Sequence, residues 1–181
     1  MALLKTNNLK GENTMSNFIS TEADIIVQKL DETSTTKNHT LGKIIRAEDK
    51  DTTAYGAGEF IYLKGVASTA VGSWVLYSPD NFSTSLLAAN DIGSVAVAMS
   101  ACVADNYGWY QIKGKAVGKA LAGFVDDANV YSTATAGSVD DAVVAGDRVK
   151  NAKGASAVGT PSTGLAEFEI DRPFVDDGLA A

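Results

Sequence analysis

One histidine and one cysteine carry most of the nucleophilic chemistry open to this chain. His39 lies in the polar loop DETSTTKNHT, and as the lone imidazole it is the base a Ser-His-Asp or Cys-His site would need. No nucleophile-elbow pattern accompanies it, so a hydrolase built on His39 has no local support. Cys102 sits in SVAVAMSACVA among small apolar residues and reads as a buried structural thiol rather than a reactive one. A single cysteine excludes an internal disulfide. Zinc wants clustered Cys and His, which are absent. The pairs Asp126-Asp127, Asp140-Asp141 and Asp176-Asp177 are adjacent, and neighbours on a strand point to opposite faces, so such a pair does not chelate by itself. They read as turn residues. The loop EDKDTTAYGAG invites a calcium reading that fails on spacing. Counted from Asp49, Asp51 falls at the third position, but Ala54 stands where the glycine belongs and Phe60 where the bidentate glutamate belongs. The glycines form neither a phosphate-cradling GxxxxGK[ST] loop nor a GxGxxG pattern. The residues therefore announce no catalytic site, no metal and no cofactor.

Charge narrows the partners. Fifteen Lys and Arg stand against 22 Asp and Glu, a formal net charge of -7, so phosphate backbones are repelled and nucleic acid is not an expected partner. Lys113, Lys115 and Lys119 are the best basic patch, and they read as a solvated strand face. No uncharged stretch approaches the ~20 apolar residues of a membrane span, and the start lacks a basic region followed by an apolar core. A soluble, non-exported protein is expected, with the triplets at Asn38 and Asn81 matching the glycosylation pattern by chance.

The elements that position these residues are organised around Glu59 to Tyr77, EFIYLKGVASTAVGSWVLY, which reads as two buried strands and their connection. Ile25 to Leu30, Lys43 to Glu48, Ser94 to Met99, Tyr107 to Ala116 and Leu165 to Phe174 read as further strands. Ser94 to Met99 is expected to be covered on both faces. Tyr107 to Ala116 alternates, with Tyr110, Ile112, Gly114 and Ala116 on a dry face and Trp109, Gln111, Lys113 and Lys115 on a wet one. Gly114 and Gly118 suggest a bend or bulges. Short apolar units at Val130-Tyr131, Val143-Val144 and Val149 read as short strands, and KNAKGASAVGTPSTG as an exposed loop. Pro173 is expected to end the last strand, whose outward Glu167, Glu169 and Asp171 would guard an edge. Gly56 and Gly58 read as turn residues, and Ser83 to Ala89 allows a short helical turn. The expected fold is all-β, a sandwich, jelly roll or barrel-like domain over residues 25–181. Residues 1–24 read as a polar arm that either packs locally or orders on a partner, with Phe18 and Ile19 as its apolar pair. Trp74, Trp109, Tyr110 and Tyr131 could form a sugar-binding platform, although packing in the core or at a subunit interface is the stronger reading. The candidate interface residues are thus Phe18, Ile19, Trp74 and Trp109.

The segments GEFIYLKGVAS, VGSWVLY, VAVAMS and YGWYQIKGKAVGKAL resemble the capsid decoration, or cement, proteins of tailed bacteriophages. The resemblance runs from Leu41 to the C-terminus in strand and turn phrasing. It implies a noncatalytic β-rich protein made in the bacterial cytoplasm and bound to the outside of a viral shell. Its partners would be the major capsid protein and copies of itself, with a homotrimer as the implied oligomer. The alternative is a carbohydrate- or receptor-binding module of the virion.

Overall fold

A computed structural model describes residues 18–19, for backbone only, together with 27–49 and 54–176. Strands account for all the regular structure among them, and every pairing between strands is antiparallel. In chain order they are β1 (Phe18–Ile19), β2 (Ile44–Asp49), β3 (Ala57–Lys64), β4 (Trp74–Tyr77), β5 (Thr84–Leu86), β6 (Gly93–Ala98), β7 (Tyr107–Lys119), β8 (Asn129–Ser132), β9 (Val139–Asp140), β10 (Arg148–Gly154) and β11 (Leu165–Val175). They join as one sheet in the order β1-β2-β3-β7-β6-β11-β10-β8-β9, with β4 on β6 and β5 on β4. The sheet does not close into a barrel, and the domain is sandwich-like.

The longest strand, β7, is the spine. Its first half pairs with β3 from Tyr107 to Lys113, and its second half pairs with β11 from Lys113 to Lys119. Tyr110 and Gln111 also face β6, whose Gly93 and Ser94 reach Val175 and Phe174 of β11. Strands β6, β7 and β11 therefore each pair with the other two, a three-way junction. The changeover on β7 is made by a bulge at Ile112, where the register against Glu59 and Phe60 slips. Gln111 is buried there, and its Nε2 donates to the carbonyls of Lys113 and Lys115, at 3.1 Å each, as the strand changes partner. Gly114 follows with φ +100, and a Cβ on it would lie 2.6 Å from the Ala57 carbonyl oxygen, so the bend expected at this glycine has a steric cause.

Three apolar clusters fill the interior. Trp74, Phe124 and Phe168 centre the first, with Val95, Val97, Val130 and Val149 around them. Ile45, Phe60, Tyr62, Met99 and Trp109 form the second, and Ile61, Leu63, Val75, Tyr110 and Ile112 the third. Strand β3 thus sends alternate residues from Phe60 to Leu63 to two different clusters, so both of its faces are dry over that stretch, as are both faces of β6 from Val95 to Ala98.

Several sequence expectations change. Trp109 and Gln111 are buried: Trp109 packs beneath Gln28 with Leu30, Leu41 and Tyr62, Gln111 turns its amide to backbone carbonyls, and past the bulge at Ile112 Lys113 lies partly exposed opposite Glu59. Val27–Leu30 forms turns rather than a strand, while Ile25 and Ile26 lie outside the described residues. Ser83 to Ala89 holds strand β5 instead of a helical turn, and Gly58 sits inside β3. Lys150 to Gly154 belongs to β10, so the expected loop is confined to 155–164. Val143 and Val144 lie in the turn between β9 and β10. Pro173 does not end β11, which runs on to Val175 and is central, not an edge. The proline, lacking an N–H, stands between Asp171, the last partner of β7, and Phe174, the first partner of β6.

A tight approach in the first cluster is testable. A Cβ on Gly118 would lie 2.5 Å from Trp74 Nε1 and 2.9 Å from its Cε2, and the indole already packs edge-on against Phe168 at 4.9 Å. Gly118→Ala is expected to lower stability by about 1–3 kcal/mol through overpacking. A urea midpoint equal to the parent protein's would refute the contact.

Candidate partner-binding surface

The chemistry-bearing residues settle into structural roles. His39 is largely buried on aromatic rings, 5.0 Å from the Tyr62 centroid and 5.1 Å from that of Trp109. Gln28 ties the same region together. The Tyr62 hydroxyl donates to its Oε1 at 2.7 Å and Asn38 Nδ2 donates to the same atom at 3.0 Å, while Gln28 Nε2 donates to the Tyr107 carbonyl at 2.9 Å. Trp109 Nε1 donates to the Gln28 carbonyl at 3.2 Å. Cys102 is buried against Gly108, and burial pushes its thiol pKa up, away from the reactive thiolate. Among the described residues no group of three or more His, Cys, Asp or Glu is placed to hold a metal ion. The aspartates shape turns: Asp126 accepts from the Asp127 N–H, Asp140 from the Asp141 N–H, and Asp141 from the Val125 N–H. Asp51 and Asp177 lie outside the described residues.

Of the candidate interface residues, Trp74 and Trp109 are fully buried, as is the platform candidate Tyr110, and Tyr131 is buried as well, with 7% of its surface exposed. None of these four rings is available to a sugar or to a partner on the domain surface. Phe18 and Ile19 pair through their backbone with Asp49 and Glu48, adding a strand to the β2 edge of their own chain. The rest of the arm, residues 1–17 and 20–24, lies outside the described residues.

The wet face of the sheet carries a matched charge ladder. Arg46, Glu59, Lys113 and Asp171 stand opposite one another across β2, β3, β7 and β11, with Lys113 Nζ 3.3 Å from Asp171 and Arg172 Nη2 2.6 Å from Glu59. Lys115 pairs with Glu167 at 2.7 Å, and its ammonium lies 5.6 Å above the Tyr55 ring. Each exposed pair is worth little. Together they leave Lys113 and Lys115 bound to acids rather than open to phosphate.

The surface best suited to a partner was not anticipated from the sequence. Leu76 and Tyr77 of β4, Thr84 and Ser85 of β5, Gly93 and Ser94 of β6, and Phe174 of β11 line an open groove of about 460 Å³ with Ile92 at its rim. Ile92 is 59% exposed and Phe174 39%. None of the lining residues carries a charge at neutral pH. Such a wall, mixing apolar side chains with many hydroxyls, offers no general base or electrophile and fits an uncharged protein segment. The sequence signal was faint: Ile92 stands isolated between Asp91 and Gly93, and Phe174 follows the proline.

Burial of both indoles predicts blue-shifted tryptophan emission, little quenching by iodide and no response to added glycans. Red-shifted, strongly quenched emission would contradict it. The phenols give a second outcome. Burial, with Glu167 beside it, pushes Tyr55 from 10.0 up to about 12, and burial also raises Tyr62 and Tyr110. A raised folded-state pKa stabilises the fold below pH 10 and is lost as pH climbs through about 12. Denaturant stability is expected to fall across that window, and Tyr55→Phe to make the fall shallower; an unchanged slope would remove Tyr55 from the account. Comparison with protein-family models, with curated proteins and with solved structures returned no match.

Proposed function

We propose that this chain is a noncatalytic structural protein of a virion, a decoration protein that binds the outer surface of an assembled tailed-phage capsid and reinforces the major capsid protein lattice. The observation that carries the reading is where the resembling segments fall. GEFIYLKGVAS spans most of β3, VGSWVLY ends in β4, VAVAMS holds most of β6, and YGWYQIKGKAVGKAL contains all of β7. The likeness to cement proteins thus lies in the strands that meet at or flank the junction, the framework of the domain, rather than in scattered surface loops. The all-β fold is of the kind the resemblance implies. The neutral groove supports docking on protein, and the acid-paired lysines support a partner other than nucleic acid.

The mechanism is mass action combined with multivalency. A protein that binds only the mature lattice stabilises it by about 2.7 kcal/mol per site at a hundred times its dissociation constant. An oligomer spanning several shell subunits, with a trimer as the first expectation, prevents those subunits from parting independently. The carbohydrate-binding alternative loses its motivating residues, since its aromatic platform is buried.

Cosedimentation with expanded heads of the cognate major capsid protein tests the proposal. Binding is expected to saturate at a fixed ratio to shell subunits and to raise the temperature at which heads break. Failure to bind either precursor or expanded heads would overturn it.

A further inference from the structure

Two neighbouring turns set exposed valines among carboxylates. Residues 123–128, between β7 and β8, carry Val125, Asp126 and Asp127, and residues 140–146, from β9 towards β10, carry Asp140, Asp141, Val143 and Val144. Val125 is 53% exposed, Val143 80% and Val144 47%. Hydrogen bonds fix the turns to one another. Asp141 Oδ2 accepts from the Val125 N–H at 3.0 Å, the Leu121 N–H donates to the Val139 carbonyl at 2.9 Å, and the Asp147 N–H donates to the Val144 carbonyl at 3.2 Å. The same four residues, VDDA, occur at 125–128 and at 139–142, but Val139 is fully buried, so the motif does not by itself put a valine in water. Val27, Ile44 and Val103 are exposed as well, each on its own segment of the chain.

The carboxylates of these turns are short of cations. Lys153 pairs with Asp127 at 3.0 Å, and Arg148 donates to Asn129 Oδ1 at 3.1 Å. Among the described residues no Lys or Arg forms an ion pair with Asp126, Asp140 or Asp141, whereas Glu59, Glu167 and Asp171 on the sheet face each have one. Charge and apolar surface together select the partner. A Lys or Arg side chain lays its methylene stem along apolar atoms while its charged head reaches an acid, so a basic protein surface satisfies the valines and the aspartates at once. A second copy brings a further -7 to an acidic patch, and a phosphate backbone is repelled in the same way. A purely apolar surface would cover the valines but strip water from the aspartates without supplying a counterion.

We propose that the two turns bearing Val125, Val143 and Val144 form a docking surface for a protein partner whose contact face carries Lys or Arg side chains around an apolar centre. The inference rests on the shell-binding reading and deepens it by naming the surface and the chemistry it meets on the shell.

Cosedimentation of the full chain with expanded heads of the cognate major capsid protein, at low and at raised salt, tests it. The parent protein is expected to bind less tightly as salt rises. Asp126→Asn combined with Asp140→Asn and Asp141→Asn keeps side-chain acceptors for the turn N–H groups while removing the charges. It is expected to weaken binding by at least about tenfold and to flatten the salt dependence. Val143→Ser combined with Val144→Ser is expected to weaken binding by about tenfold with the salt dependence retained. Asp31→Asn combined with Glu48→Gln and Asp80→Asn removes as many charges elsewhere and is expected to bind like the parent. Circular dichroism checks folding, and if the triple aspartate variant unfolds, Asp126→Asn with Asp140→Asn, which spares the Asp141 bond to Val125, takes its place. Parent-like binding by either patch variant, or an equal loss in the control, would overturn the inference and leave the decoration role standing. A parent protein that binds no heads removes both. Self-association of the parent that the patch variants abolish, seen by sedimentation velocity, would give the surface to a second copy and overturn the inference as well.

Discussion

The domain depends on one strand meeting the demands of three neighbours. Backbone donors and acceptors buried in a β core must be paired, and a strand has only two edges. Strand β7 meets the constraint by dividing its length, with β3 beside its first half, β11 beside its second and β6 at the bulge between them. Beyond the bulge, the Gln111 amide donates to the carbonyls of Lys113 and Lys115. A buried glutamine in an apolar setting is costly unless satisfied. Here its hydrogen bonds are the reason for its presence, and they hold the junction in one register.

Around that junction, polar and apolar chemistry are sorted by depth. Aromatic residues from β3 and β7 are covered by residues 27–42, which Gln28 fastens through Tyr62, Asn38, Tyr107 and Trp109. Farther along the same sheet, cations and acids alternate from strand to strand. A matched ladder keeps an exposed sheet face hydrated and discourages edge or face stacking with other sheets. Exposed apolar side chains are spread over the described surface, at Val27, Ile44, Val103, Val125, Val143 and Val144, and two more, Ile92 and Phe174, come together in the groove.

Much of the framework was legible in the sequence because β-branched and aromatic runs bounded by glycine mark strands directly. Glu59 to Leu63, Trp74 to Tyr77 and Ser94 to Met99 show this well. What alternation could not reveal was cover supplied from elsewhere in the chain. Trp109 and Lys113 share a parity in the sequence, yet the bulge at Ile112 comes between them, so Trp109 stands opposite buried Tyr62 and beneath Gln28 while Lys113 stands opposite the partly exposed Glu59. Pro173 misled for a related reason. A missing donor ends a ladder only if that position needs one, and at a change of partner it does not. The groove escaped notice because its walls come from four strands separated in sequence, each contributing one or two unremarkable residues.

The junction also sets an order on assembly during synthesis. Strand β11, Leu165–Val175, follows β6, β7 and β10 in the chain and pairs with all three at once. Until it leaves the ribosome, the second half of β7 has an open edge and the cluster around Trp74 lacks Phe168 and Ile170. A chain whose defining pairings are this far apart in sequence folds late and as a unit. That interval of open edge on the nascent chain is when it is most exposed to mispairing with neighbours, and the ion pairs later buttressing β7 against β11 then have no partner strand to join.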